Sequence, residues 1–139
     1  MRLLPAMPFL LLALLALSGC NRPNYETPVS AYRSFLQSVQ RGDDKRAYAA
    51  LSQPTQEILK ARAQAAADAS AGAMKADPVA FFFANVPPPA DVTEVTLSSE
   101  EGDVAKVSVI SSSGTSNQVR MVREPTGWKI DLTQSLQQP

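Results

Sequence analysis

Val104-Ala105-Lys106-Val107-Ser108-Val109-Ile110-Ser111 is the stretch that decides the fold. Ala105, Val107 and Val109 alternate with Lys106 and Ser108. Successive side chains of a β-strand point to opposite faces, so this pattern reads as a strand with one apolar and one polar face. The same alternation recurs on either side of it. Segments 92–98, 118–123 and 128–132 are strand candidates, with Val95 and Leu97, Val119 and Met121, and Trp128, Ile130 and Leu132 expected to point inward. Glu94, Arg120, Lys129 and Asp131 fall on the opposite, polar face with Lys106 and Ser108. Glu100-Glu101-Gly102-Asp103, Ser112-Ser113-Gly114-Thr115 and Glu124-Pro125-Thr126-Gly127 separate the four as turns. Short turns make neighbouring strands antiparallel, and the simplest topology is a meander.

The half that precedes the strands has helical periodicity. Thr27 and Pro28 form a good helix start, a capping hydroxyl followed by a proline in the first turn. Val29, Tyr32, Phe35, Leu36 and Val39 then form one apolar stripe, and Gly42 is placed to close the helix in a left-handed C-cap. Asp43 or Asp44 caps a short second helix that turns Ala47, Tyr48 and Leu51 inward. Ser52-Gln53-Pro54 opens a third, expected over residues 55–71, whose seven alanines give high helix propensity but little buried area. Asp77-Pro78 opens a fourth, carrying Phe81-Phe82-Phe83, and Pro87-Pro88-Pro89 ends the helical half as a stiff connector. A sheet with one face buried and one polar suits helices packed on one side. The expected class is α+β: N-terminal helices packed on a curved four-stranded antiparallel sheet.

Parts of this pattern resemble a known group. Val29-Ser30-Ala31-Tyr32-Arg33-Ser34-Phe35, Arg41-Gly42-Asp43-Asp44-Lys45-Arg46-Ala47-Tyr48 and Leu51-Ser52 resemble the opening of nuclear transport factor two-like domains, including those called lumazine-binding-like. Gly127-Trp128-Lys129-Ile130-Asp131 resembles their last strand. The resemblance implies a cystatin-like cone, helices wrapped around a curved sheet, often with a pocket inside. It does not imply an activity, because that fold hosts isomerases, carriers and plain interaction modules. Neither the alanine-rich helix nor the triple phenylalanine belongs to that pattern.

The N-terminus resembles a second family. A basic start at Arg2, the apolar run 3–17 and Leu17-Ser18-Gly19-Cys20 resemble the lipobox of bacterial lipoprotein signal peptides. The apolar run is short for a membrane span, which takes about 20 residues, and Pro5 and Pro8 sit badly in a spanning helix. The resemblance implies cleavage before Cys20, acylation of its thiol and usually of its new amino group. Residues 1–19 are then a signal peptide, 20–27 the lipidated cysteine and a tether, 28–133 a single α+β domain and 134–139 a tail. One acyl chain anchors marginally at about 0.8 kcal/mol per buried methylene, and two or three anchor stably. Asn21 is not the aspartate that retains enteric-type lipoproteins at the inner membrane, so the expected location is the outer membrane, facing the periplasm.

Composition narrows the function. Without Arg2 the chain has twelve basic and thirteen acidic residues, a formal charge of −1, which argues against an electrostatic grip on nucleic acid. Histidine is absent, which removes the commonest general base and metal ligand. With the single cysteine acylated, thiol catalysis and cysteine-bound zinc are excluded. Neither a nucleophile elbow nor a phosphate loop nor a calcium loop occurs. The expectation is a non-enzyme with no cofactor and no metal.

A few residues invite a sharper reading. Asp43-Asp44 reads as a metal pair or, more simply, a helix cap, and Glu100-Glu101-Gly102-Asp103 as a weak calcium site or a charged turn. Asp131 reads as a base in a pocket or as a strand acid that is solvated or paired across the sheet; Trp128 reads as a stacking platform or as core. Arg62, alone among alanines, is a candidate receiver for an acidic ligand or partner. Phe81, Phe82 and Phe83 are the foremost binding candidates. Helical neighbours are about 100° apart, so three adjacent rings cannot share one narrow face. They plug the core, or form a pocket mouth or docking patch. Two functions follow: a non-catalytic interaction module that docks an envelope protein, the preferred reading, or a carrier of a small apolar ligand in the cone.

Overall fold

The computed structural model describes residues 22–86 and 91–139. Cys20, residues 1–19 expected as a signal peptide, and the Pro87-Pro88-Pro89 segment lie outside the described residues.

Four helices precede four strands. Helix α1 (Pro28–Gln40) starts at Thr27, whose hydroxyl accepts the Ser30 amide while the Ser30 hydroxyl accepts the Thr27 amide. It ends as a Schellman motif: Gly42 at φ +69° donates to the Val39 carbonyl and Asp43 to that of Ser38. Asp43 in turn caps α2 (Asp44–Ala49), and Ser52 caps α3 (Gln53–Ala69). Helix α3 starts and ends two residues before the expected limits. Its left-handed C-terminal position falls on Ala71 at φ +51°, one residue ahead of Gly72. Thr55, Leu59, Ala63 and Ala67, four residues apart, are its buried seam, so the small alanines serve close packing against α4 (Pro78–Asn85).

The strands β1 (Val92–Glu101), β2 (Val104–Ser111), β3 (Ser116–Glu124) and β4 (Gly127–Ile130) form one open antiparallel meander in sequence order. Strands β1 and β3 outrun the expected segments; β1 does so because its hairpin to β2 turns on Gly102 and Asp103 alone and leaves Glu100 and Glu101 in the ladder. Two register shifts, between Val92 and Glu94 and between Leu97 and Ser99, bend β1. Helix α1 lies across the inner face and touches β1, β2 and β4. Between them sits the core, with Tyr32, Phe35, Leu51, Val107, Met121, Trp128 and Ile130 buried.

Three expectations need correction. Leu97 is not core: it is 47% exposed, because the helical layer buries only Val95 of β1. Lys129 and Asp131 are not on a solvated face, being 7% and 8% exposed. The reason is that the chain folds around the outer edge of β4. Trp128 N–H donates to the Tyr25 carbonyl at 2.8 Å, Ile130 N–H to Ala50 at 2.9 Å, and Ser52 N–H to the Ile130 carbonyl at 2.8 Å. That edge is therefore paired, as an edge strand must be to avoid presenting unpaired amides. Residues expected as a tail instead begin with a short helix, α5 (Thr133–Gln137).

Candidate functional site

Helix α4 is positioned by its N-cap. Asp77 accepts the amides of Val79 and Ala80, and Pro78 occupies the first turn. Helical geometry then sends the three rings in three directions. Phe82 is 2% exposed and plugs the core, edge-on to Tyr48 (centroids 6.5 Å apart) and to Phe83 (5.0 Å). Phe83, half-buried, turns into a cavity under α1. Phe81, also half-buried, lines a separate groove of about 300 Å³ between α3 and α4 with Ala66, Ala80, Ala84 and the exposed Met74. The core plug and the pocket wall are thus both present, on adjacent residues.

The cavity beneath Phe83 has a volume of about 260 Å³ and is half enclosed. Tyr32 and Phe35 of α1, Phe82, Phe83 and Val86 from α4, and Val119, Ile130 and Leu132 from the sheet side form most of its wall, with the exposed Asn117 at the rim. No lining residue carries a formal charge. It is smaller than the roughly 300 Å³ at which ligand pockets ordinarily begin, so it suits a small guest or one that protrudes.

Tyr32 supplies the polar feature of this wall. It is 5% exposed and packs on Phe35 at 5.8 Å between ring centroids. Its hydroxyl makes no hydrogen bond to any described residue. Yet no sealed side-chain oxygen or nitrogen among the described residues lacks a partner, so the hydroxyl opens onto space that water can reach. Burial pushes its pKa up from 10.0 to about 12, which keeps it a neutral donor. Sequence reasoning missed this group by reading Tyr32 as one more member of the α1 stripe. The available signal was a tyrosine where phenylalanine would have filled the space, since a buried phenol normally has a hydrogen-bond partner.

A second cluster is buried but closed. The Asp131 carboxylate accepts the hydroxyls of Ser52 (3.2 Å), Thr55 (3.3 Å) and Thr133 (3.1 Å), the Thr133 amide (3.3 Å) and the Arg120 guanidinium (3.2 Å). Asp131 therefore pairs across the sheet with Arg120, but inside a polar knot that ties the α3 N-terminus to β4. It is saturated, which leaves no lone pair for base chemistry. Lys129 donates to the Ala49 carbonyl at 3.1 Å and lies 3.8 Å from the Tyr25 ring centre; burial lowers its pKa.

The remaining candidates are separate from the cavity. Arg62 donates to the Leu136 carbonyl and holds α5 against α3. Trp128 is core, with the Arg123 guanidinium 4.8 Å from its ring centre. Arg123 also pairs with Glu100 of β1 and Asp103 of the first turn, and Asp43 accepts the Arg46 amide as a helix cap. Among the described residues, no acidic cluster has metal-binding geometry and no helix is long and apolar enough to cross a membrane. No family model, curated protein or solved structure matches this chain.

Proposed function

We propose that this chain is a lipid-anchored envelope lipoprotein whose domain is a non-catalytic carrier, holding a small apolar ligand in the cavity between α1, α4 and the sheet. The observation that carries this reading is the cavity wall, apolar throughout except for one neutral phenol and a rim amide. A wall without a carboxylate, amine or imidazole provides no acid–base pair for catalysis. The helices folded around the β4 edge and the bends in β1 support the cone that the sequence resemblance implies.

Attachment through acyl chains on Cys20 would give the domain an orientation. Tyr25 is pinned to β4 through its carbonyl, so at most five residue steps, about 17 Å, separate it from the lipidated cysteine. The turn beside Tyr25 then faces the bilayer. Asn117, at the cavity rim, lies at the other end of β3 from Glu124, seven residues or about 24 Å away. The cavity would open away from the membrane, which suits a periplasm-facing protein at the outer membrane. Palmitate labelling tests the anchor. The wild type incorporates labelled palmitate and Cys20→Ser does not if it is right, and a wild type that takes up no label contradicts it.

The groove lined by Phe81 and Met74 favours the interaction module as a second reading. Met74 is 53% exposed, and flexible thioethers suit adaptable protein contacts.

A further inference from the structure

Tyr32 lines the cavity, and its hydroxyl bonds none of the described residues. Its ring packs on Phe35, and the residue is 5% exposed. Of the other lining residues only Asn117, at the rim, carries a side-chain acceptor. The hydroxyl is left to water, because no sealed polar side-chain atom among the described residues lacks a partner. A guest that brings an acceptor would satisfy it.

We propose that this cavity binds a small neutral molecule with an apolar body and one hydrogen-bond acceptor, a ketone, ester, amide or ether oxygen, that bonds the Tyr32 hydroxyl. The proposal rests on the carrier reading and specifies its ligand class. A carboxylate is disfavoured because no cation lines the wall to offset its desolvation, and an ammonium because no anion does. Size sets the scale. At about 30 Å³ per non-hydrogen atom, the share of a water molecule in the liquid, 260 Å³ holds about nine such atoms. The cavity is only half enclosed, so a longer guest places its acceptor end at Tyr32 and its tail outside.

Acetophenone and ethylbenzene are a matched pair of this size, one with a carbonyl oxygen and one without. The lipidated protein in phosphatidylcholine nanodiscs is titrated with each, following the methyl resonances of Val119 and Leu132. Free ligand is measured in the aqueous phase so that partition into lipid cancels. The wild type is expected to bind acetophenone about three- to tenfold more tightly than ethylbenzene, the yield of one net hydrogen bond. Tyr32→Phe should erase that preference, leave ethylbenzene binding intact and leave the melting temperature unchanged, because the hydroxyl bonds nothing in the domain. Equal affinities in the wild type, or a preference that survives Tyr32→Phe, would overturn the assignment of the ligand class while leaving a carrier. Failure of both compounds to shift Val119 and Leu132 would overturn the carrier reading itself.

Discussion

Asp131 shows how one side chain holds three elements together. Asp131 is 8% exposed, and its carboxylate engages Ser52 and Thr55 at the start of α3, Arg120 on β3 and Thr133 at the start of α5. Removing one member of a buried network leaves the others desolvated and unpaired. Asp131→Ala is therefore expected to cost about 2–4 kcal/mol, read as a lower urea midpoint at unchanged slope. Asp131→Asn, which keeps an acceptor, should cost less. Tyr32 predicts a pH effect of definite sign. The folded chain holds the phenol proton to about pH 12, whereas the unfolded chain releases it near 10.0. Between those values the folded state binds more protons, so stability falls as pH rises, by up to about 1.4 kcal/mol per pH unit. Burial raises the pKa of Tyr25 and Tyr48 also, with the same sign. The depressed pKa of Lys129 acts oppositely, stability rising with pH just below 10.5. Urea melts at pH 10 and 12 should show a loss in the wild type that is smaller in Tyr32→Phe.

At the scale of elements, the sequence was legible where local chemistry is decisive. Thr27, Asp43, Ser52 and Asp77 each cap the helix that their side chains suggest, and the alternation around Val107 identifies a four-stranded meander. What it does not disclose is how elements cover one another. Lys129 and Asp131 alternate with core residues and read as solvent-facing, yet Tyr25 and the α2–α3 junction, distant in sequence, close over them. Leu97 alternates correctly with Val95, but whether a helix reaches over it is a tertiary matter. For the site, the phenylalanine triplet pointed to α4, and the cavity's polar group lay hidden in an ordinary helical stripe. Gly127 is the place where an element contact depends on a missing side chain. A Cβ there would stand 2.6 Å from the Cβ and carbonyl oxygen of Tyr25, on a backbone at φ +119°. Gly127→Ala should thus dislodge Tyr25 and deprotect the Trp128 amide to hydrogen exchange, while the amides of β2 stay protected; a Trp128 amide that stays protected would show that the clasp is dispensable.

For the molecule as a whole, the Tyr25 clasp on β4 and the cavity rim at Asn117 lie toward opposite ends of the sheet. A carrier built this way would meet its ligand on the aqueous side, and the polar outer surface of β1–β3, with Thr96, Lys106 and Gln118 exposed, would remain free for other contacts. In the proposed function, a lipid anchor and a small-molecule site belong to the same chain. Native mass spectrometry of protein extracted gently from its own membranes tests that claim most directly. The expected spectrum is a chain beginning at Cys20, heavier by its acyl groups, carrying a small neutral molecule that is lost intact on mild activation. A chain that retains residues 1–19 without acylation, or an acylated chain that never carries a small molecule, would contradict it.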